Sequence, residues 1–441
     1  MAITLFDFQR QAIDRWLASA FRGILEMATG TGKTYTAVGA IDKFLQRAYL
    51  SLVVIVVPFK HLVKQWQDAI EKFPLEDVSV IPTMADGTSW RDTLWAIKKL
   101  AIGKIRKLIV ITTYSGFASN LKSLSSVLLP HVDTLLVADE VHRLGVPSLI
   151  SLERYFNFDA YLGLSATPER KWDSRGTNFI YRVVGDVVYR FSLKDALTTI
   201  NPRTGDFYLT PFYYRVIPAF MNDEEWDRFL SLTRNIAITL SKKDSSDLTT
   251  DDKLALLMRS LLLMSVEDKI RVLSDLLPTI DTSKTLMFSS HPLFPKVRGL
   301  LYTLNIPYTT ITHRDETATR FQKVEDFVRG NIDIILSMNV LDEGIDIPDA
   351  KTAVFVSMPM SPRRTIQRLG RVIRWSPVKD LAYVYDIVAL PPTYVSGTMA
   401  MRLINPQLER VKMLSDLSVG GYAYYMDFLQ IVEDKYGGDV V

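Results

Sequence analysis

Short runs of aliphatic and β-branched residues alternate along the chain with longer stretches whose apolar residues recur at helical spacing. In the first half, runs at 23–27, 51–57, 107–112, 134–138 and 160–165 predict strands with amphipathic helices between them. The run Leu52-Val53-Val54-Ile55-Val56-Val57 has no polar alternation, as expected of a parallel strand covered by helices on both faces. A second set at 285–289, 308–312, 332–336, 353–357 and 382–388 alternates with helical segments such as 316–329 and 363–371. The architecture repeats although the sequence does not.

Between the two sets the pattern changes. Met221-Asn222-Asp223-Glu224-Glu225-Trp226 reads as a helix start, and Leu254 to Leu277 carries Leu and Met at helical spacing. The polar stretch Ser241-Lys242-Lys243-Asp244-Ser245-Ser246-Asp247 reads as an exposed connection, and 396–441 as a helical tail. The expected organisation is an α/β lobe at 1–217, a helical linker or insert at 218–280, a second α/β lobe at 281–395 and a helical extension at 396–441.

A chain of 441 residues exceeds one ordinary core and suits two medium domains with appendages. Nothing in it approaches the roughly 20 uninterrupted apolar residues of a membrane span, so no membrane partner is expected. Residues 1–7 lack a basic segment followed by an apolar run, which points to the cytoplasm, or to the interior of an infected cell if the host is a virus. The absence of cysteine excludes disulfides, thiolate zinc and iron–sulfur clusters, so any metal must be held by oxygen ligands. A formal charge of only +3 means that a track for nucleic acid has to be local.

Strand Gly23-Ile24-Leu25-Glu26-Met27 runs into Ala28-Thr29-Gly30-Thr31-Gly32-Lys33-Thr34 and then a helical stretch, the context that a phosphate cradle requires. Gly30 and Gly32 let the backbone turn its amides inward, and the helix N-terminus adds donors and a positive dipole end. Lys33 is placed to reach the β- and γ-phosphates of ATP, and the Thr34 hydroxyl to ligate Mg²⁺. Met27 stands where the general pattern has its first glycine. Downstream, the apolar run Thr134-Leu135-Leu136-Val137-Ala138 ends in Asp139-Glu140-Val141-His142. Asp139 is the expected second metal-holding group, and Glu140 the group that polarises the attacking water.

With these residues in place the sequence resembles the superfamily 2 helicases of the DExH class. Met27 to Thr34 is similar to motif I, Val57 to Trp66 to motif Ia, Ile111-Thr112-Thr113-Tyr114 to motif Ib, and Asp139 to His142 to motif II. Ser165-Ala166-Thr167-Pro168 resembles motif III, Leu286 to Ser290 motif IV, Val340 to Pro348 motif V, and Gln367 to Arg374 motif VI. Within the superfamily the chain looks most like the XPB-type and restriction-enzyme-motor branch.

The resemblance implies two RecA-like lobes with parallel sheets and an ATP site in the cleft between them. It adds Gln9 as an adenine reader, Thr29 and Thr31 of motif I, and Gly344 and Asp346 of motif V to the nucleotide-binding set. It makes Arg371 and Arg374 arginine fingers, and brings Gln367 and His142 near the γ-phosphate. The implied nucleic-acid track uses Lys60, Thr112, Thr113 and Tyr114 in the first lobe, then Ser290, His291, Thr312 and His313 in the second. The expected activity is an ATP-dependent DNA helicase or translocase, tracking 3′ to 5′ and targeted by a protein partner. The alternatives are an RNA-directed DExH helicase and an ATP-gated clamp that does not unwind.

Overall fold

The computed structural model describes residues 4–83, 90–128, 130–170, 173–240, 250–312, 314–338, 347, 349–359 and 361–437. The chain divides into two compact units, Met1–Ala196 and Leu197–Val441.

The first unit is a seven-stranded sheet in the order β3-β4-β2-β5-β6-β1-β7, every neighbouring pair parallel. Its strands are β1 (Arg22–Met27), β2 (Ser51–Val57), β3 (Val78–Thr83), β4 (Lys107–Thr113), β5 (Asp133–Asp139), β6 (Ala160–Ser165) and β7 (Val187–Phe191). All residues of β2 and β6 are buried, as the unbroken apolar runs predict. Helices Asp7–Ala18, Lys33–Arg47, Lys60–Glu71, Trp90–Ala101 and Tyr114–Ser125 form much of the covering layers. One face of the sheet packs Leu52, Val54, Val56, Phe117, Leu121 and Phe179 into a single apolar cluster. Strands β3 and β7, absent from the sequence expectation, are the two edges of the sheet. Pro82 lies within β3, where an edge strand tolerates the missing donor.

The second unit is a six-stranded, wholly parallel sheet in the order β10-β11-β9-β12-β13-β8. Its members are β8 (Phe212–Phe220), β9 (Thr285–Phe288), β10 (Tyr308–Ile311), β11 (Ile334–Ser337), β12 (Thr352–Phe355) and β13 (Ala382–Leu390). The expected boundary at 217/218 cuts through β8, which pairs with β13 along its whole length. The structure divides the chain after Ala196 instead, and β8 belongs to the second sheet.

The region read as a helical insert forms helices Asp223–Leu240, Thr250–Met264 and Asp268–Leu276. The helix start at 222 is a reciprocal cap. The Glu225 amide donates to Asn222 Oδ1 at 2.9 Å, and the Asn222 amide donates to Glu225 Oε2 at 3.1 Å. Residues 241–247 lie outside the described residues. The tail is helical as expected, in Gly397–Leu417 and Tyr422–Tyr436. No helix among the described residues is long and apolar enough to cross a membrane.

Candidate functional site

In the first unit, β1 ends at Met27 and the chain turns through 28–32 into helix Lys33–Arg47. Gly30 and Gly32 have φ of +85° and +80°, a region that residues with a Cβ rarely adopt. Gly32 is also fixed by space, since a Cβ there meets Gln9 Nε2 at 2.7 Å. The loop is braced from within: Thr31 Oγ1 donates to the Ala28 carbonyl at 2.7 Å, and Lys33 Nζ donates to the Met27 and Ala28 carbonyls at 3.1 and 3.3 Å. Thr29 Oγ1 is buried with no hydrogen-bond partner in the loop, an unsatisfied polar atom within the cradle sequence. Thr34 follows Lys33 in the first helical turn, half-buried.

Gln9 is buried, and both ends of its amide are engaged. Nε2 donates to the carbonyls of Thr31 and Gly32 at 3.1 and 3.3 Å, and Oε1 accepts from the Phe6 amide at 2.9 Å. In this structure Gln9 therefore braces the cradle, and reading adenine requires it to exchange one of these bonds.

Strand β6 lies between β1 and β5, and its last residue reaches the residue that follows β5. Ser165 Oγ donates to Glu140 Oε2 at 3.3 Å and accepts from the Thr167 amide at 3.1 Å. Asp139 ends β5, and Glu140 follows with φ 51° and ψ 59°. A left-handed conformation at a residue with a Cβ costs about 1–3 kcal/mol and persists only where the surroundings hold it. The Tyr114 hydroxyl does so, donating to the Asp139 carbonyl at 2.8 Å and lying 3.3 Å from that of Glu140. Trp66 Nε1 donates to Asp139 Oδ2 at 3.0 Å.

Behind the acid pair, Arg170 Nη1 donates to the His142 carbonyl at 2.8 Å, and its Nε pairs with Asp173 at 2.7 Å. Gly145 and Gly176 meet so closely that a Cβ on either would stand 2.6 Å from the other's carbonyl oxygen.

The two carboxylates are electrostatically unlike. Burial and the neighbouring charge of Glu140 raise Asp139 to about 6, against the Trp66 N–H and the Lys33 ammonium. Burial also opposes ionisation of Glu140. His142 Nδ1 at 3.3 Å, Lys33 and the Ser165 hydroxyl outweigh it and bring Glu140 down to about 2. Glu140 is thus an anion throughout the physiological range, able to orient a water. Asp139 retains a stronger hold on its proton and gains from a cation beside it. One carboxylate, Asp139, and one hydroxyl, Thr34, are the oxygen ligands that would hold a hard cation such as Mg²⁺, which is commonly bound through few protein groups.

In the second unit, helix Pro362–Val372 carries Gln367 and Arg371, both half-buried. Arg374 lies two residues beyond the helix end, bridged to Leu209, so the two arginines are not on successive turns of one helix. Arg368 is buried, donating to the carbonyls of Ser357 at 2.9 Å and Met338 at 2.8 Å; it belongs to the core and not to a solvated basic face. Gly344, Asp346 and His313 lie outside the described residues.

Several expected nucleic-acid contacts are turned inward. Thr112 is fully buried within β4, and Tyr114 is buried with its hydroxyl spent on motif II. Ser290 is buried and donates to the Met264 carbonyl at 3.1 Å. Thr312 Oγ1 donates to Asp315 at 2.9 Å. Thr113 caps its helix by accepting from the Gly116 amide at 3.2 Å. Lys60 and His291 are exposed. Sequence reasoning missed Trp66 and the inward role of Tyr114. Register could have located both, because β2, β4 and β5 are neighbours whose carboxyl ends coincide.

Comparison with known proteins agrees with this geometry. Residues 2–170 match the family described as type III restriction enzyme, res subunit, and residues 268–376 the helicase conserved C-terminal domain. The chain is 28% identical over 391 residues to the DNA 3′-5′ translocase XPB2 of Sulfurisphaera tokodaii, covering 84% of this chain and 79% of that protein. Among solved structures, the ATP-dependent type ISP restriction-modification enzyme LlaBIII bound to DNA superposes with a TM-score of 0.65 at 16% identity. The match covers 100% of this chain but only 33% of that enzyme. The Hef helicase domain of Pyrococcus furiosus superposes with a TM-score of 0.52 at 16% identity, over 86% of this chain and 95% of that domain.

Proposed function

We propose that the chain is a superfamily 2 helicase of the XPB and restriction-enzyme type, with two RecA-like lobes, working as an ATP-driven DNA translocase or helicase moving 3′ to 5′. The observation that carries the proposal is the pairing of a glycine cradle, Gly30 to Lys33, with Glu140 held in a left-handed turn beside Asp139 and bonded to Ser165. In this reading Lys33 and the cradle amides bind the ATP phosphates, and Thr34 and Asp139 hold Mg²⁺. When bound, Mg²⁺ would supply neutralisation of phosphate negative charge. Glu140, steadied by Ser165 and His142, orients the attacking water, and Gln9 holds the cradle in shape.

From the second unit, Arg371 and Arg374 are proposed to stabilise the charge of the transition state, with Gln367 reporting the presence of the γ-phosphate. Gly344 and Asp346 are proposed to complete the nucleotide site. Lys60, Thr113 and His291 are the proposed phosphate contacts of the polymer, positioning it without reading bases. XPB2 is named a DNA translocase and LlaBIII is described bound to DNA, which favours DNA over RNA as the polymer.

The test is steady-state ATPase of wild type and Lys33→Ala with no polymer, single-stranded DNA, duplex DNA or RNA. Lys33-dependent turnover stimulated by DNA supports the proposal. Stimulation by RNA alone moves the protein to the RNA-directed branch, and Lys33-independent turnover refutes the assigned site.

A further inference from the structure

We propose that Tyr114 and Trp66 are positioning residues that couple the polymer on the first unit to the hydrolytic acid pair; the inference rests on the DNA-motor reading above and names the residues through which that motor's two sites communicate.

The placement follows from register. Strand β2 lies between β4 and β5, with Val57 opposite Thr113 and Val56 opposite Ala138. The carboxyl ends of the three strands therefore lie side by side. The chain leaving β2 enters helix Lys60–Glu71, the chain leaving β4 enters helix Tyr114–Ser125, and Asp139-Glu140 stands at the end of β5, on the side of β2 away from β4.

Each of these helices faces two ways. At their N-terminal ends Lys60 is exposed and the cap residue Thr113 half-buried, and the motor reading puts the phosphates of the polymer at these two residues. Inward, Trp66 is 1% exposed and Tyr114 8%, and each donates its side-chain proton to motif II. Trp66 holds the Asp139 carboxylate itself. Tyr114 holds the carbonyls of Asp139 and Glu140, the backbone turn that keeps Glu140 in its left-handed conformation.

A displacement of either helix on polymer binding therefore reaches the acid pair directly, through the hydrogen bonds of Trp66 or Tyr114. Ser165 provides a separate brace to Glu140 from β6, so Trp66 and Tyr114 hold the pair from the side opposite the cradle.

Coupling of this kind is reciprocal: whatever factor polymer binding applies to nucleotide affinity, nucleotide applies to polymer affinity. Tyr114→Phe removes one oxygen and keeps the ring, and Trp66→Phe removes the indole donor. Two quantities are measured for wild type and both variants. One is ATPase kcat and KM with and without duplex DNA. The other is the affinity for labelled duplex DNA, by fluorescence anisotropy, with and without a non-hydrolysable ATP analogue and Mg²⁺.

The expected result is that Tyr114→Phe reduces both the DNA stimulation of kcat and the analogue-induced change in DNA affinity by about fivefold or more. Trp66→Phe is expected to move both in the same direction. Variants that melt earlier but keep the wild-type coupling factors overturn the inference and leave the motor reading standing. A wild type with neither DNA-stimulated turnover nor nucleotide-dependent DNA affinity overturns the motor reading, and this inference with it.

Discussion

Replacement of Asp386 by alanine tests how the second unit tolerates the charges it buries. The carboxylate is fully buried on β13, accepts from the Tyr214 hydroxyl at 2.9 Å and pairs with Arg410 Nη2 at 3.1 Å. A second buried cation shares the region, since Lys269 is 3% exposed and donates to the Val356 carbonyl at 3.0 Å. Burial is the main cause that lowers Lys269 to about 7; Arg410 lowers it further and Asp386 opposes both. Removing Asp386 leaves Arg410 buried without that counter-charge and withdraws the support that Lys269 receives. Breaking a buried ion pair from one side costs about 3–5 kcal/mol. Against a total stability of about 5–15 kcal/mol, this is enough to populate the unfolded second unit. Tyr214→Phe removes only one hydrogen bond and should cost about 1 kcal/mol. Joint replacement Asp386→Leu with Arg410→Met takes away both charges and should return stability to within about 1–2 kcal/mol of wild type. The assay is urea denaturation fitted with separate transitions for the two units, with hydrogen exchange of peptides from β12 and β13 identifying the second. The reasoning fails if Asp386→Ala costs less than the tyrosine change, or if the joint replacement is as damaging as the single one.

Lys269→Met should flatten a pH dependence. A lysine whose folded pKa lies below its unfolded value binds fewer protons when folded, so wild-type stability falls as pH drops from about 10.4 toward 7, by at most about 1.4 kcal/mol per pH unit. Equal slopes of stability against pH in wild type and variant, between pH 7 and 9, would contradict this. Glu140→Gln should bind ATP but not turn it over, and single-turnover kinetics showing wild-type hydrolysis would remove Glu140 from the water-orienting role. Arg371→Ala should lower kcat by up to about 10³-fold with little change in nucleotide affinity; loss of affinity without loss of kcat would place the arginine in ground-state binding. Gly32→Ala should add roughly 1–2 kcal/mol of backbone strain at φ +80° and displace Gln9, lowering thermal stability as well as ATP affinity. A variant that melts and binds like wild type would show that the turn can relax.

The interior of each sheet was legible because strands covered on both faces leave unbroken apolar runs, as in Leu52 to Val57, where no competing pattern exists. The edges were not. In β7 the burial pattern is mostly intermediate, with Arg190 exposed, and in β8 exposed Tyr213 and Arg215 alternate with buried Phe212 and Tyr214. Such half-wet segments lack the unbroken apolar run that marks the interior strands. Strand β8 shows the larger difficulty. Its assignment depends on pairing with β13, residue 212 opposite 382, and no local pattern contains that information. The domain boundary expected at 217/218 follows chain order, whereas the sheet follows contact.

The candidate site was legible where the chemistry demands particular residue types at fixed spacing, as in Gly30-Thr31-Gly32-Lys33-Thr34 and Asp139-Glu140. It was obscure where direction decides. On helix Pro362–Val372 the buried positions Thr365, Arg368, Leu369 and Val372 fall at i, i+3, i+4 and i+7, an apolar stripe with an arginine in it. The stripe itself predicts that Arg368 turns inward. Gln367 and Arg371, four residues apart, lie together on the other side of the helix. The basic run Gln367 to Arg374 therefore separates into two physical roles by helical phase alone. Arg368 ties the helix to the carbonyls of Ser357 and Met338, beyond the ends of β12 and β11, and thereby sets the angle at which Arg371 is presented. Loss of Arg368 should accordingly appear first as loss of stability of the second unit, with catalysis failing only through the misplaced Arg371. Loss of Arg371 should leave the melting curve unchanged.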